Sequence, residues 1–204
     1  MKKKIIILLF LVIMLSTASA FAQSITHTVV SGDTMWKIAV RYQIGISELI
    51  AANTHIKNPD LIYPGQKLTI PNIDDIKAQE NEVIRLVNAE RAKNGLPALK
   101  ANWELSRVAR YKSQDMIDKN YFAHQSPTYG SPFDMMESFG IRFSAAGENI
   151  AKGQRTPAEV MNAWMNSPGH KSNILSRSYT EIGVGLARNK NGVCYWTQMF
   201  IKPY

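Results

Sequence analysis

Residues 193–201 have the sequence Val-Cys-Tyr-Trp-Thr-Gln-Met-Phe-Ile and are large and apolar on both of their alternating faces. A strand of this kind is typical of the centre of a sheet that is covered on both sides. A shorter apolar stretch, 182–186, precedes it, and Asn191-Gly192 between the two is a strong hairpin signal. The two strands therefore predict a three-layer α/β/α sandwich.

Four helices are predicted before this hairpin. The first runs from Glu80 to about Asn94 and places Val83, Leu86 and Val87 on one face. Asn102 begins the second, whose inward residues are Leu105, Val108, Ala109 and Met116. The third spans about Pro132 to Phe139 and the fourth Thr156 to Asn166, with Pro157 in its first turn. Mixed with the strands, they indicate an α+β chain.

The N-terminus has the pattern of a secretory signal peptide. Three lysines at 2–4 are followed by the apolar run 5–15 and by small residues that suit cleavage after Ala20 or Ala22. We therefore expect residues 1–22 to be removed and the protein to be secreted. Removal of the three lysines lowers the formal net charge from +8 to +5. That modest charge argues against nucleic acid as a partner and fits anionic wall polymers or a solubilising surface.

Residues 25–71 predict a small module with the order strand, helix, helix, strand. Thr26 to Val30 alternates like a strand, Asp33 is a plausible cap of the first helix, and Ser47 is a plausible cap of the second. The stretch 67–71 is a second strand that ends at a proline. Core packing is the preferred interpretation for three apolar side chains of this module: Trp36, Ile38 and Leu68.

This module resembles the LysM family on two stretches, 27–39 and 63–71, with Asn53 between them. The resemblance implies binding of N-acetylglucosamine polymers, peptidoglycan or chitin, in a shallow groove between two loops. No charge is needed, because sugar amides and hydroxyls pair with backbone groups and a sugar's flat face packs on apolar side chains. The implied glycan-binding residues are Gly32, Asp33, Thr34, Met35, Pro59, Asp60, Leu61, Ile62 and Tyr63.

A domain boundary is expected in residues 72–79, which carry Asp74 and Asp75 and lack an apolar cluster. The second domain then spans 80–204. Its ionisable residues of interest stand in three predicted loop segments, 121–127, 147–150 and 164–175.

At these segments and at the ending 182–185 the domain resembles the CAP superfamily, in its bacterial, disulfide-free branch. The resemblance independently implies the sandwich fold. It also implies a cleft lined by two histidines and two glutamates, of which His124, Glu148 and His170 match three. The fourth position is Ser167 here, so a four-residue mechanism does not carry over.

Several roles remain open for these three residues. Two imidazoles and a carboxylate are able to bind Zn²⁺, or His124 and His170 hold the metal while Glu148 acts as base. The structural alternative is that Glu148 ties loops together and that both histidines hold local structure. A serine hydrolase is disfavoured because no G-x-S-x-G turn is present, and Cys194 is expected to be a core residue.

The sequence thus predicts a binding protein of the cell wall rather than an enzyme, with the CAP-like cleft open to a lipid, a protein or another ligand. LysM modules are often fused to wall hydrolases, so a metal-assisted hydrolase of wall or peptide bonds is the enzymatic alternative. A spore coat or envelope component is the third, because both modules occur in spore-forming bacteria. The expected location is the cell wall or the spore surface.

Overall fold

The computed structural model describes residues 25–204. The predicted signal peptide therefore lies outside the described residues. The helices and strands form two modules, and residues 25–70 form the smaller one.

The first module has the predicted strand–helix–helix–strand order: β1 (Ile25–Thr28), α1 (Met35–Tyr42), α2 (Ile46–Ala51) and β2 (Lys67–Ile70). The two strands pair antiparallel, with Thr26 opposite Thr69. The helices cover this ribbon and share a core in which Ile38 and Leu68 are fully buried. A two-stranded ribbon needs such cover, because it is marginal by itself in water.

The core prediction for Trp36 is wrong, since 55% of this residue is exposed. Helix geometry explains the difference. The inward face of α1 is formed by Met35, Ile38 and Ala39, which recur at the helical spacing of three and four residues. Trp36 lies outside that stripe.

Both predicted caps in this module are also wrong. Thr34 caps α1 by accepting a hydrogen bond from the Lys37 N–H. Asp33 instead accepts a hydrogen bond from the Val30 N–H and pairs with the side chain of His27 on β1. Gly45 begins α2, and its N–H donates to the carboxylate of Glu48 in the first turn. A carboxylate three residues into a helix satisfies the free N–H at its start, which Ser47 does not do here.

Helix α3 (Asp74–Lys93) begins six residues before the predicted Glu80, so most of the expected boundary segment is helical. The two aspartates in its first turn favour this start, because negative charge is stabilised at a helix N-terminus. Ile73 packs on the core of the first module, and Ile76 packs on the core of the second. The chain therefore passes between the cores within one helical turn.

The second module is built on a four-stranded sheet of β3 (Lys100–Ala101), β4 (Ala145–Lys152), β5 (Glu181–Arg188) and β6 (Cys194–Lys202), in the order β3-β5-β6-β4. The prediction that 193–201 is a central strand is confirmed, because β6 pairs with both β5 and β4. The Asn191-Gly192 hairpin is confirmed as well, with Gly192 at φ 77°.

Helices cover both faces of the sheet, which confirms the three layers. On one face lie α4 (Trp103–Asp118) and α5 (Pro132–Ser138); on the other lie α3, α6 (Pro157–Met165) and α7 (Pro168–Ile174). The residues predicted to face inward on α4 are all fully buried.

Two predicted loop segments are regular structure. Residues 147–150 belong to strand β4, and residues 168–174 form helix α7, which begins with a proline. The proline that indicated a loop at 168 is the first residue of α7, because Pro is well tolerated in the first turn of a helix. Among residues 25–204, no helix combines the length and apolar character needed to cross a membrane.

Candidate functional site

Strand β4 brings Glu148 together with His124. The Nδ1 atom of His124 lies 2.7 Å from Oε1 of Glu148. The two side chains differ sharply in exposure, at 53% for His124 and 1% for Glu148. The glutamate thus forms the floor of the site and the imidazole its rim.

Burial raises the pKa of Glu148, although the hydrogen bond from His124 and the positive charge of Lys112 oppose the rise. When Glu148 is ionised it only accepts hydrogen bonds, so His124 must carry its proton on Nδ1. The second carboxylate oxygen, Oε2, is buried and has no partner among the side chains and backbone of residues 25–204. The floor of the site therefore offers one free acceptor.

His170 lies in the first turn of α7, near His124. A positive charge on the His124 imidazole lowers the pKa of His170, in the same direction as burial. Burial is the main cause that lowers the pKa of His170, which favours its neutral form. Its carbonyl oxygen accepts a hydrogen bond from the side chain of Asn149. Ser167, at the position that lacks the family's second glutamate, is the residue that precedes this helix.

A buried amide network supports β4 from the face opposite Glu148. Asn149 is fully buried and its Nδ2 donates to Oε1 of Gln198 on the neighbouring strand at 2.9 Å. Asn173 of α7 donates to Oδ1 of Asn149 and to the carbonyl oxygen of Glu148. These bonds fix α7 against the strand that carries the glutamate.

A second polar cluster anchors the loop that carries His124. The carboxylate of Asp115 on α4 accepts hydrogen bonds from Tyr121, Ser126 and Thr128 at 2.5–2.7 Å. Lys112, also on α4, is fully buried and donates to the carbonyl oxygen of His124 at 2.6 Å. Helix α4 therefore holds the loop and the backbone of His124 in place.

His124 and Glu148 border a cavity of about 310 Å³ at the edge of the sheet. It is lined by both polar and apolar residues: His124, Pro132, Phe133, Ala146, Gly147, Glu148, Asn173 and Tyr179. Phe133 is 46% exposed, whereas Tyr179 stacks on the buried Phe200 with 5.4 Å between ring centroids.

A catalytic zinc ion usually takes three protein ligands. Within residues 25–204, no three His, Cys, Asp or Glu side chains are arranged to hold a metal ion. His124 also uses Nδ1 for its bond to Glu148. A histidine that gives Nδ1 to a carboxylate still has Nε2 for a metal, so the zinc site of His124 and His170 stays a prediction.

In the first predicted glycan loop, residues 32–35, the side chains have different surroundings. Gly32 is exposed and has φ 84°, a conformation that side-chain-bearing residues rarely adopt. Thr34 is exposed but caps α1, and Met35 is only 4% exposed in the core. Asp33 is bound to His27 at 2.9 Å and to Arg41 at 3.3 Å, so its carboxylate stabilises the loop itself.

In the second predicted glycan loop, residues 59–63, two large apolar side chains face solvent. Leu61 is 52% exposed and Tyr63 is 54% exposed. Ile62 between them packs on the module's core, as expected for alternating side chains in an extended segment. Pro59 is half-buried and Asp60 is exposed, with its N–H bonded to the side chain of Asn58.

Several residues of the CAP-like site were not predicted from the sequence. Lys112 and Asp115 resemble ordinary polar positions of an amphipathic helix, Asn173 lies in the predicted loop segment 164–175, and Tyr179 lies outside the predicted segments. Asn149 follows Glu148 directly, and both are buried. Neighbouring residues of a strand point to opposite faces of the sheet, so a strand at 147–150 would have placed Asn149 on the face opposite Glu148.

Comparison with known proteins accounts for both modules. The profile of the LysM domain matches residues 27–71, and that of the cysteine-rich secretory protein family, CAP, matches residues 84–200. The protein YkwD of Bacillus subtilis (strain 168) is 60% identical over 126 residues, which cover 62% of this chain and 48% of YkwD.

Two further similarities concern one module each. The spore coat assembly protein ExsA of Bacillus cereus is 48% identical over 46 residues, 22% of this chain and 7% of ExsA. A crystal structure of an extracellular SCP-domain protein from Bacillus anthracis superposes with a TM-score of 0.59 at 32% identity, covering 68% of this chain and 47% of that one.

The matched region of this chain spans about half the length of YkwD. The predicted α+β fold and both predicted resemblances are confirmed by these matches and by the observed layers. Because the family profile extends over more than half of its residues, the chain belongs to the cysteine-rich secretory protein family and carries a LysM domain ahead of its family domain.

Proposed function

We propose that this chain is a secreted cell-wall protein that binds peptidoglycan through its LysM domain and presents the CAP cleft as a ligand-binding site. The observation that carries the proposal is a LysM domain whose second loop exposes Leu61 and Tyr63. Exposed apolar side chains suit the flat faces of N-acetyl sugars.

Export is supported by the order of charge and apolar residues at the N-terminus, which is that of a signal peptide. It is also supported by the similarity to an extracellular protein of Bacillus anthracis. A location in the wall then follows from the polymer that the LysM domain is proposed to bind.

For the CAP domain, binding is favoured over catalysis. The buried Glu148 already pairs with His124 through Oε1, which leaves Oε2 as its unpartnered acceptor within residues 25–204. The ligand is a lipid, a protein or a component of the wall, and each requires a different chemistry in the cleft.

A role in the spore envelope is a second candidate. It is favoured by the LysM similarity to ExsA, which is described as a spore coat assembly protein. Detection of the chain in purified spores and not in the walls of growing cells is the result that would support it over a vegetative wall protein.

The glycan-binding proposal is tested by co-sedimentation of residues 23–204 with purified peptidoglycan. Replacement of both Leu61 and Tyr63 by alanine is expected to weaken binding about tenfold, because it removes two apolar contacts at the groove. Ile25→Ala is the matched control, since Ile25 is a 49% exposed apolar side chain on β1 of the same domain. Unchanged sedimentation of the double variant would refute this groove.

The same incubations report on catalysis. We expect no soluble wall fragments to be released by the intact chain. If the native chain releases fragments and a folded Glu148→Gln variant does not, the cleft hydrolyses the wall polymer instead of only binding a ligand. Circular dichroism shows whether the variant is folded.

A further inference from the structure

The free oxygen of Glu148 limits the chemistry of any ligand in the CAP cleft. Glu148 lines the cavity, and its Oε2 is buried and lacks a hydrogen-bond partner within residues 25–204. Burying a carboxylate oxygen without a donor is costly. A ligand in the cleft that reaches Oε2 is therefore favoured when it offers an N–H or O–H group.

Charge around the carboxylate argues for a neutral donor. Lys112 places a buried ammonium group near Glu148, where its charge favours the ionised carboxylate. A second cation would add repulsion from Lys112, and an anion would be repelled by Glu148. An acyl chain offers no donor and would leave Oε2 unpaired.

The remaining wall of the cleft is aromatic. Phe133 exposes nearly half of its surface next to the polar floor and rests on Phe143, with ring centroids 6.4 Å apart. An apolar ring face beside a hydrogen-bond acceptor is the combination that a sugar requires, because a sugar has hydroxyl donors around its edge and a flat C–H face.

We propose that the cleft beside Glu148 is a second glycan subsite, which binds an N-acetylated sugar of the wall polymer. A hydroxyl or amide N–H of the sugar donates to Oε2 of Glu148, and its apolar face packs on Phe133. The inference rests on the proposed function, because the polymer is the one that the LysM domain is proposed to hold. Two linked subsites raise the avidity for a long polymer beyond that of either alone.

The test uses residues 23–204, the hexamer of N-acetylglucosamine as probe, and two readouts. Calorimetry gives the Kd, and ¹⁵N NMR shows which amides respond. With the native chain, amides at Gly147 and Asn173 are expected to shift together with those at Leu61 and Tyr63. Glu148→Gln and Phe133→Ala are each expected to raise the Kd about tenfold, the usual effect of losing one charge-assisted hydrogen bond or one stacking contact.

Phe122→Ala is the matched control, because Phe122 is 47% exposed but does not line the cavity. Its Kd should equal that of the native chain. Phe133→Ala removes a partly exposed side chain, so it tests the subsite even where Glu148→Gln perturbs folding.

Three outcomes would overturn the inference. Shifts confined to Leu61 and Tyr63, with native Kd in both cleft variants, would leave the LysM function intact and remove the second subsite. Absence of any shift would refute both subsites for this polymer. Cleft shifts produced by zinc chloride or by a sugar-free wall peptide, and not by the hexamer, would assign the cleft to a metal or a peptide.

Discussion

At the scale of single residues, the least ordinary side chain outside the cleft is Glu80. It is 3% exposed, and burial raises its pKa to about 7 even though Arg110 and the N–H of Leu186 favour its ionised form. Because the folded-state pKa is above the unfolded one, the folded protein binds more protons between these values. Its contribution to stability is complete below about pH 4.5 and is lost as the pH rises to about 7.

Glu80→Gln should remove this pH dependence while its amide oxygen still accepts from Leu186. At pH 4.5 the native carboxyl group is protonated and is as uncharged as the amide, so the two proteins should be similarly stable there. Between pH 4.5 and pH 7 the variant should gain about 3 kcal/mol of stability relative to the native chain. Urea unfolding at both values measures it, with Glu82→Gln, an exposed position on the same helix, as control. A difference between the variant and the native chain that does not change between the two pH values would contradict the assignment.

At the scale of elements, the approach of α4 to β5 depends on two glycines of the strand. A Cβ atom at Gly185 would lie 2.0 Å from the backbone nitrogen of Arg110, and one at Gly183 would lie 2.4 Å from backbone atoms of α4. Ser113 on the same helix also binds the carbonyl oxygen of Gly185 at 3.0 Å. The helix therefore lies directly on the strand's backbone, without side chains between them.

Gly185→Ala should lower the free energy of unfolding by at least about 3 kcal/mol, because backbone atoms of α4 and β5 would have to separate. Thermal unfolding measures the loss. Gly169→Ala is the control, since a Cβ there meets no atom within 4 Å and the residue lies in helix α7. A Gly185→Ala protein as stable as the control would show that the helix is free to shift.

At the scale of the whole molecule, the LysM and CAP modules share a buried ionic junction. Arg110 of α4 lies 3.4 Å from Glu80 and 3.9 Å from Glu48, which belongs to the LysM helix α2. Lys77 reaches from α3 to the carbonyl oxygen of Tyr42 at 2.9 Å. Together with the continuous helix α3, these contacts predict that the two modules unfold as one unit.

Gly45→Ala should weaken this coupling. A Cβ at Gly45 would lie 2.2 Å from the hydroxyl oxygen of Tyr111, so the Tyr111 side chain would have to leave its contact with the LysM module or the module would have to shift. We expect the single calorimetric transition of the native chain to become two, with the LysM transition at the lower temperature. Two transitions already present in the native chain, or one retained in the variant, would show that the modules are not coupled through this contact.

Local pattern was sufficient for much of this architecture. The apolar run 193–201 and the Asn-Gly turn after Lys190 predicted a central strand and its hairpin, because side-chain periodicity and turn chemistry act over a few residues. The inward face of α4 followed for the same reason. The resemblances added the LysM and CAP folds, together with His124 and Glu148, which both line the cavity.

Tertiary structure alone decided the rest, because it depends on contacts between residues far apart in the chain. Pairing of β4 with β6 made a strand of 147–150, and packing against β4 made a helix of 168–174. The partners of Glu148 also come from distant segments: His124 is 24 residues away in the chain, and Lys112 lies on another helix. Exposure of Trp36 and burial of Met35 were likewise set by which face of α1 met the module's core.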